Sequence, residues 1–258
     1  MRTGSVARPD GARLYVEVHG EPGDEPLVLL EGMGGDIPGW GRTIPRLAAE
    51  HLVVAYDHRG NGRSIAPDGP ATMDTFVEDC LAVMDAFGIE RAHVYGQSFG
   101  GMVAIELGLA HPGRVRSLVL AATHAGSAHA VPGRGRAPKD RPWLQLYAPS
   151  FAAAYPDRVE EEQRAARRRP RHPEGERRQC EAVRAWDAWD RLGELRMPVL
   201  VLHGDEDQLI DVANARALAE RIPRAELAII EGAGHVYHAE RPELTERLAL
   251  DFLRRHRG

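Results

Sequence analysis

Ser98 stands in Gly96-Gln97-Ser98-Phe99-Gly100, between a strand-like run, Ala92-His93-Val94-Tyr95, and a helix-like run, Gly101 to Leu107. A serine on a tight strand-to-helix turn is an exposed nucleophile, and flanking glycines permit the turn because a Cβ there would clash with the neighbouring strand or helix. The start of the helix also directs unpaired N–H groups and a partial positive charge to the place where an oxyanion would form. A serine hydroxyl is a weak nucleophile near neutral pH and needs a base, normally a histidine oriented by a carboxylate. Two later segments offer those groups, each after an apolar run. His203-Gly204-Asp205-Glu206-Asp207 follows Val199 to Leu202, and Glu231-Gly232-Ala233-Gly234-His235 follows Leu227 to Ile230. In open α/β sheets such strand ends are where ligands bind.

The elements that must position these groups are legible as alternating apolar runs and helix-period segments, the mark of an α/β fold with a mostly parallel sheet of about eight strands flanked by helices. Val6-Ala7 and Leu14 to Val18, separated by Pro9-Asp10-Gly11, read as an opening hairpin. Buried strands are predicted at Leu27–Leu30, Leu52–Tyr56, Ala92–Gly96, Leu118–Ala122, Val199–Leu202 and Leu227–Ile230, with helices at Thr75–Phe87, Gly101–Ala110, Ala213–Arg221 and Leu244–Arg254. Between Thr123 and Arg196 no β-branched run occurs and the composition turns to Arg, Pro, Ala and Glu. That stretch predicts a helical cap, 124–196, inserted between core segments 1–123 and 197–258. Its opening, Val131 to Pro138, reads as loop.

Composition narrows the function classes. A net charge of −5 steers the chain neither to nucleic acid nor to an anionic membrane. Arg164, Arg167, Arg168, Arg169 and Arg171 are flanked by Glu160, Glu161, Glu162, Glu174 and Glu176, which predicts a solvated helix laced with ion pairs. Cys80 and Cys180 are too few for a disulfide framework and read as free thiols of a reducing compartment. With no signal-peptide pattern at the first residues and no run long enough to span a bilayer, a soluble, cytoplasmic protein is expected. Its partner is expected to be a small molecule, and a homodimer stays open. Trp186 and Trp189, at i and i+3 of a predicted helix, suit packing between cap and core more than substrate contact.

Four motifs together resemble the α/β-hydrolase superfamily from end to end of the core: Glu31-Gly32-Met33-Gly34-Gly35, Asp57 to Ser64, Gly96 to Gly100, and the acid and histidine segments. The chain looks most like the capped bacterial serine esterases and lactonases of enol-lactonase type, and the cap itself carries no comparable match. The resemblance implies an α/β-hydrolase fold, with Ser98 as nucleophile, His235 as general base and acid, and Asp207 orienting the histidine. Asp207 is chosen over Asp205 and Glu206 because the family pattern places the acid three residues after the glycine of His203-Gly204. Asp205 then reads as a turn residue. The N–H groups of Met33 and Phe99 would form the oxyanion hole, at about 3 kcal/mol per donor. No metal and no cofactor is implied. The implied reaction is cleavage of a carboxylic ester or lactone through an acyl-enzyme. The alternatives are a carbon–carbon bond hydrolase, a cofactor-free perhydrolase or haloperoxidase, and a non-catalytic ligand-binding member. A serine rather than an aspartate nucleophile argues against dehalogenases and epoxide hydrolases.

Gly32, His124, Trp143, Tyr147, Val236 and His238 are the further candidates for the pocket and its surroundings. Glu31 departs from the His-Gly that many relatives carry at this strand end. A carboxylate beside an oxyanion hole opposes the developing charge, so it must be paired, protonated or turned away. Arg59 or Arg63 is the expected partner, with a structural hydrogen bond to loop N–H groups as the alternative.

Overall fold

The computed structural model describes residues 1–258. One eight-stranded sheet runs in the order β1-β2-β4-β3-β5-β6-β7-β8, with β1 Arg2–Ala7, β2 Arg13–His19, β3 Pro26–Leu30, β4 Leu52–Tyr56, β5 Ala92–Gln97, β6 Val115–Ala121, β7 Val199–Gly204 and β8 Ala225–Ile230. The β1–β2 hairpin and the β2–β4 pair are antiparallel, and β3 to β8 are parallel. Asp10 sets the hairpin turn by accepting from the Ala12 N–H at 3.0 Å, and Gly11 takes the positive φ of 92°. The inner strands read as unbroken apolar runs because helices cover both faces of a parallel sheet.

The helices are α1 Thr43–Leu47, α2 Met73–Ala86, α3 Phe99–Ala110, α4 Pro149–Ala154, α5 Pro156–Arg167, α6 Pro173–Ala185, α7 Ala213–Arg221, α8 Tyr237–Glu240 and α9 Pro242–Arg255. One apolar core lies between the sheet and α2, α3 and α7, and a second between the sheet and α1 and α9. Helix α3 is buried on every side from Phe99 to Gly108, which is why its sequence shows no polar face. Three helices begin earlier than their periodicity predicts: Thr72 caps α2 through a reciprocal bond with Thr75, α3 starts at Phe99 directly after Ser98, and Pro242 opens α9.

Between β6 and β7 lie α4, α5 and α6 and no strand of the sheet. Tyr147, Ala148, Phe151 and Val159 form a small apolar cluster of their own there. Helical turns and ion pairs fit the Arg- and Glu-rich sequence, for example Arg177 with Glu174 and Glu181. The basic run is not wholly solvated, however. Arg167 lies over the Trp143 ring at 3.8 Å, and Arg169 pairs with Asp36 of the core. The tryptophan pair also departs from expectation, because α6 stops at Ala185 and Trp186 is extended. Trp186 still packs into the core, with its Nε1–H donating to Glu106 at 2.7 Å. Cys80 and Cys180 are both free thiols. No helix is long and apolar enough to cross a membrane.

Candidate active site

Ser98 follows β5 and precedes α3 with φ 51° and ψ −114°, a left-handed backbone that a Cβ disfavours. Its neighbours enforce the bend. Ser98 N–H donates to the Ala121 carbonyl at 2.7 Å, and the Ser98 carbonyl accepts from Thr123 Oγ1 at 2.7 Å and Gly101 N–H at 2.9 Å. The two glycines of the motif are sterically required: a Cβ on Gly96 would strike the Gly100 carbonyl, and one on Gly100 would strike that of Leu30. Such strain costs on the order of 1–3 kcal/mol and clusters at functional sites.

Asp207 lies beyond β7, buried, with Oδ1 accepting from the N–H groups of Leu209 at 2.8 Å and Ile210 at 3.0 Å. Its Oδ2 meets His235 Nδ1 at 2.8 Å. A second ring, buried His203, brings Nε2 within 3.2 Å of the same oxygen while bonding the Ile210 carbonyl at 2.9 Å. Burial alone would raise the Asp207 pKa; the two histidines and their hydrogen bonds outweigh it and hold the carboxyl well below its ordinary range. Asp205 instead accepts from Gly232 N–H at 2.8 Å and ties the two strand-end loops together.

With Nδ1 committed to Asp207, Nε2 is the ring nitrogen that His235 leaves uncommitted. Its backbone is clamped from both sides. Val236 N–H donates to the Leu146 carbonyl at 3.1 Å, and Gln97, beside Ser98, reaches the His235 carbonyl at 3.4 Å. Buried Glu240 accepts from Gly234 N–H at 3.1 Å and from Ala148 N–H at 3.2 Å, joining the histidine loop to the start of α4. Burial pushes the Glu240 carboxyl up to about 7. Glu240→Ala leaves both N–H groups unpaired and is expected to lower stability by about 2 kcal/mol, read from the urea midpoint.

The loop after β3 closes the site from the opposite side. Gly32 packs against Ser98, since a Cβ there would lie 3.5 Å from the serine Cβ. The Met33 N–H has no acceptor within the chain, and the Phe99 N–H, as the first of α3, has no helical one. The loop is held from above by α6: Gly34 N–H donates to Gln179 Oε1 at 2.8 Å, and Met33 Sδ lies 3.3 Å from Cys180 Sγ. Nothing in the sequence singles out Gln179 or Glu240 as contributors. Gln179 and Glu240 act through contacts between distant segments, and only the position of His203 in the strand-end motif marks it.

The expected partners of Glu31 are elsewhere. Arg59 binds Asp79 of α2 at 2.6 and 2.7 Å and Asp10 at 2.7 Å, while Arg63 binds Glu17 at 2.9 Å and approaches Asp57. Those carboxylates answer both guanidinium groups. Glu31 has the alternative expected of it, a bond from the Gly32 N–H to Oε1 at 2.8 Å.

Among the remaining candidates, His124 is half-buried with Nδ1 accepting from Gly126 N–H, and burial pushes it down to about 4. His238 of α8 stands 6.3 Å from the Trp40 ring and is likewise pushed down to about 4 by burial and by His235. Val236 packs against the Tyr147 cluster. Tyr147 touches the histidine loop through its backbone, but its hydroxyl is engaged within the helical segment by Glu162 and Gln163. Trp143 is half-buried, and its Nε1–H has no acceptor. A serine, a histidine and a buried carboxylate with spare N–H donors are the set that nucleophilic acyl transfer requires.

A family model described as alpha/beta hydrolase fold matches residues 25–242. A protein of Azorhizobium caulinodans named "Putative carbamate hydrolase RutD" is 33% identical over 257 residues, spanning 93% of this chain and 95% of its own. Among solved structures, an enol-lactonase from Burkholderia xenovorans LB400 is similar at 27% identity and a TM-score of 0.84, with 98% of this chain and 99% of that one covered. Est816, described as an N-acyl homoserine lactone degrading enzyme, is similar at 31% identity and a TM-score of 0.80, with 96% and 100% covered.

Proposed function

The chain belongs to the α/β-hydrolase family, and from that premise we propose that this hydrolase cleaves a carboxylic ester or lactone of a small organic molecule through Ser98, His235 and Asp207. Ser98 Oγ attacks the carbonyl carbon as His235 Nε2 takes its proton. The tetrahedral oxyanion is received by the N–H groups of Met33 and Phe99. As it collapses, the C–O bond to the leaving alcohol breaks and His235 returns the proton to that oxygen. A water deprotonated by the same ring then releases the acid and restores Ser98. Asp207 holds the ring in the tautomer with Nε2 free and stabilises the imidazolium. The helical segment 124–196 serves as the cap that bounds the substrate.

The observation that carries this reading is the 2.8 Å bond from His235 Nδ1 to a buried Asp207 at the strand ends beyond the strained Ser98. The test is a panel of short- and medium-chain p-nitrophenyl esters, aliphatic and acyl homoserine lactones, and aryl carbamates, assayed with wild type and Ser98→Ala. Wild type is expected to turn over esters or lactones and Ser98→Ala is not. Activity that survives Ser98→Ala overturns the mechanism, and inactivity on the whole panel overturns the substrate class. A carbamate is the second reading, favoured by the name of the relative that is 33% identical. The same steps would then expel the alcohol to form a carbamoyl-enzyme, whose hydrolysis frees Ser98 and a carbamic acid that decomposes to amine and carbon dioxide, and the ratio of kcat/KM for matched ester and carbamate separates the two.

A further inference from the structure

Glu31 ends the run of β3 and opens the loop that carries Met33, with only 8% of its surface exposed. Its Oε1 takes the Gly32 N–H, while Oε2 is sealed from solvent and has no hydrogen-bond partner. The carboxyl fills the space beneath the loop, because a Cβ on Gly35 or Gly39 would collide with it.

The charged and titratable groups around it come from four elements. Its own loop supplies Asp36, the loop after β4 supplies Asp57 and His58, β5 supplies Tyr95, and the helical segment supplies Arg169. Only Arg169 favours a negative charge on Glu31, and none of them bonds its Oε2. Asp57 accepts from the N–H groups of Ile37 at 2.7 Å and Arg63 at 2.8 Å, and Arg169 is paired with Asp36. His58 bonds the Glu31 carbonyl at 3.1 Å, and burial keeps it neutral, with its pKa pushed down to about 4. An ionised Glu31 would be an unpaired charge in a dry site, next to the loop that receives the oxyanion.

Resting on the acyl-transfer reading above, we propose that Glu31 is a positioning residue that works as an uncharged acid: protonated, it props the loop that presents the Met33 N–H, and ionised, it opposes the oxyanion and disables that loop. Burial pushes the carboxyl up to about 7, against the Gly32 bond, so the neutral form is available near neutrality.

The experiment compares wild type and Glu31→Gln. The pH profile of kcat/KM is measured with the best substrate of the panel, and the protonated-carboxyl stretch is followed by difference infrared spectroscopy. Wild-type activity is expected to rise along an acid limb and then to fall about tenfold per pH unit on the alkaline side of neutrality. Glu31→Gln should keep the acid limb and lose the alkaline fall. The infrared band should vanish near pH 7 in wild type and be missing from Glu31→Gln. An alkaline limb unchanged in Glu31→Gln overturns the proposal, and so does a band that fails to titrate near neutrality. A merely structural role would lower stability without moving either readout. Because the infrared titration needs no turnover, it separates failure of this proposal from failure of the acyl-transfer reading, which Ser98→Ala tests.

Discussion

Ser98→Gly is expected to lower kcat by about a million-fold and at the same time to make the protein more stable by about 1 kcal/mol. The loss follows from the role proposed for the hydroxyl, since removing the nucleophile leaves only the oxyanion donors and binding. The gain follows from the backbone. At φ 51° and ψ −114°, held by four hydrogen bonds to the main chain of Ser98, a residue with a Cβ is strained and glycine is not. Glycine's greater freedom in the unfolded chain takes back part of the relief, which keeps the net gain small. Ser98→Ala separates the two effects, because it removes the hydroxyl and keeps the Cβ. Urea unfolding of the three proteins should place Ser98→Ala close to wild type and Ser98→Gly above both, at an unchanged slope. Equal midpoints for the two variants would show that no strain is stored at this turn.

The largest expected loss of stability is at Asp79, away from the site. Its carboxylate is fully buried on α2 and receives Arg59 Nε at 2.6 Å, Arg59 Nη2 at 2.7 Å and Arg8 Nε at 2.9 Å. Burial opposes the Arg59 charge, and Asp79 and Asp10 more than offset it, raising the guanidinium above its ordinary value. Asp79→Ala strands the buried Arg59 with half-exposed Asp10 alone, and removing one partner of such a pair costs about 3–5 kcal/mol. The check is the urea midpoint, together with kcat/KM measured well below it. A loss smaller than about 1 kcal/mol would put this pair in the class of surface ion pairs. Activity per folded molecule is expected to be unchanged, which distinguishes Asp79 from Glu31.

The two substitutions mark the division between what sequence carries and what it does not. Ser98, Asp207 and His235 are legible because their positions are local events: a glycine-flanked turn after an apolar run, and short loops after two further runs. The strands are legible for the same reason, as buried runs bounded by turn residues. Arg59 is not. The adjacency of two loops made Glu31 its natural partner, whereas the partner it has sits on the next helix, which no local pattern announces. Gln179, 145 residues from Gly34, and Glu240, 92 from Ala148, support the site through contacts of the same kind. The Arg-rich run misleads in the other direction. Its flanking glutamates do make ion pairs with neighbouring arginines, but Arg167, itself exposed, lies over the Trp143 ring and Arg169 reaches Asp36.

The hydrogen bond from Gly34 to Gln179 bears on how such a protein can be taken apart and recombined. The loop that carries Met33 answers to a helix more than a hundred residues later in the chain, with Arg169 on Asp36 as a second tether. Core and insertion are therefore not exchangeable modules, one for chemistry and one for choice of substrate. A chimera that borrows this segment from a relative inherits a new support for the loop that carries Met33. Lineages that diversify by remodelling this segment must preserve or reinvent that support each time.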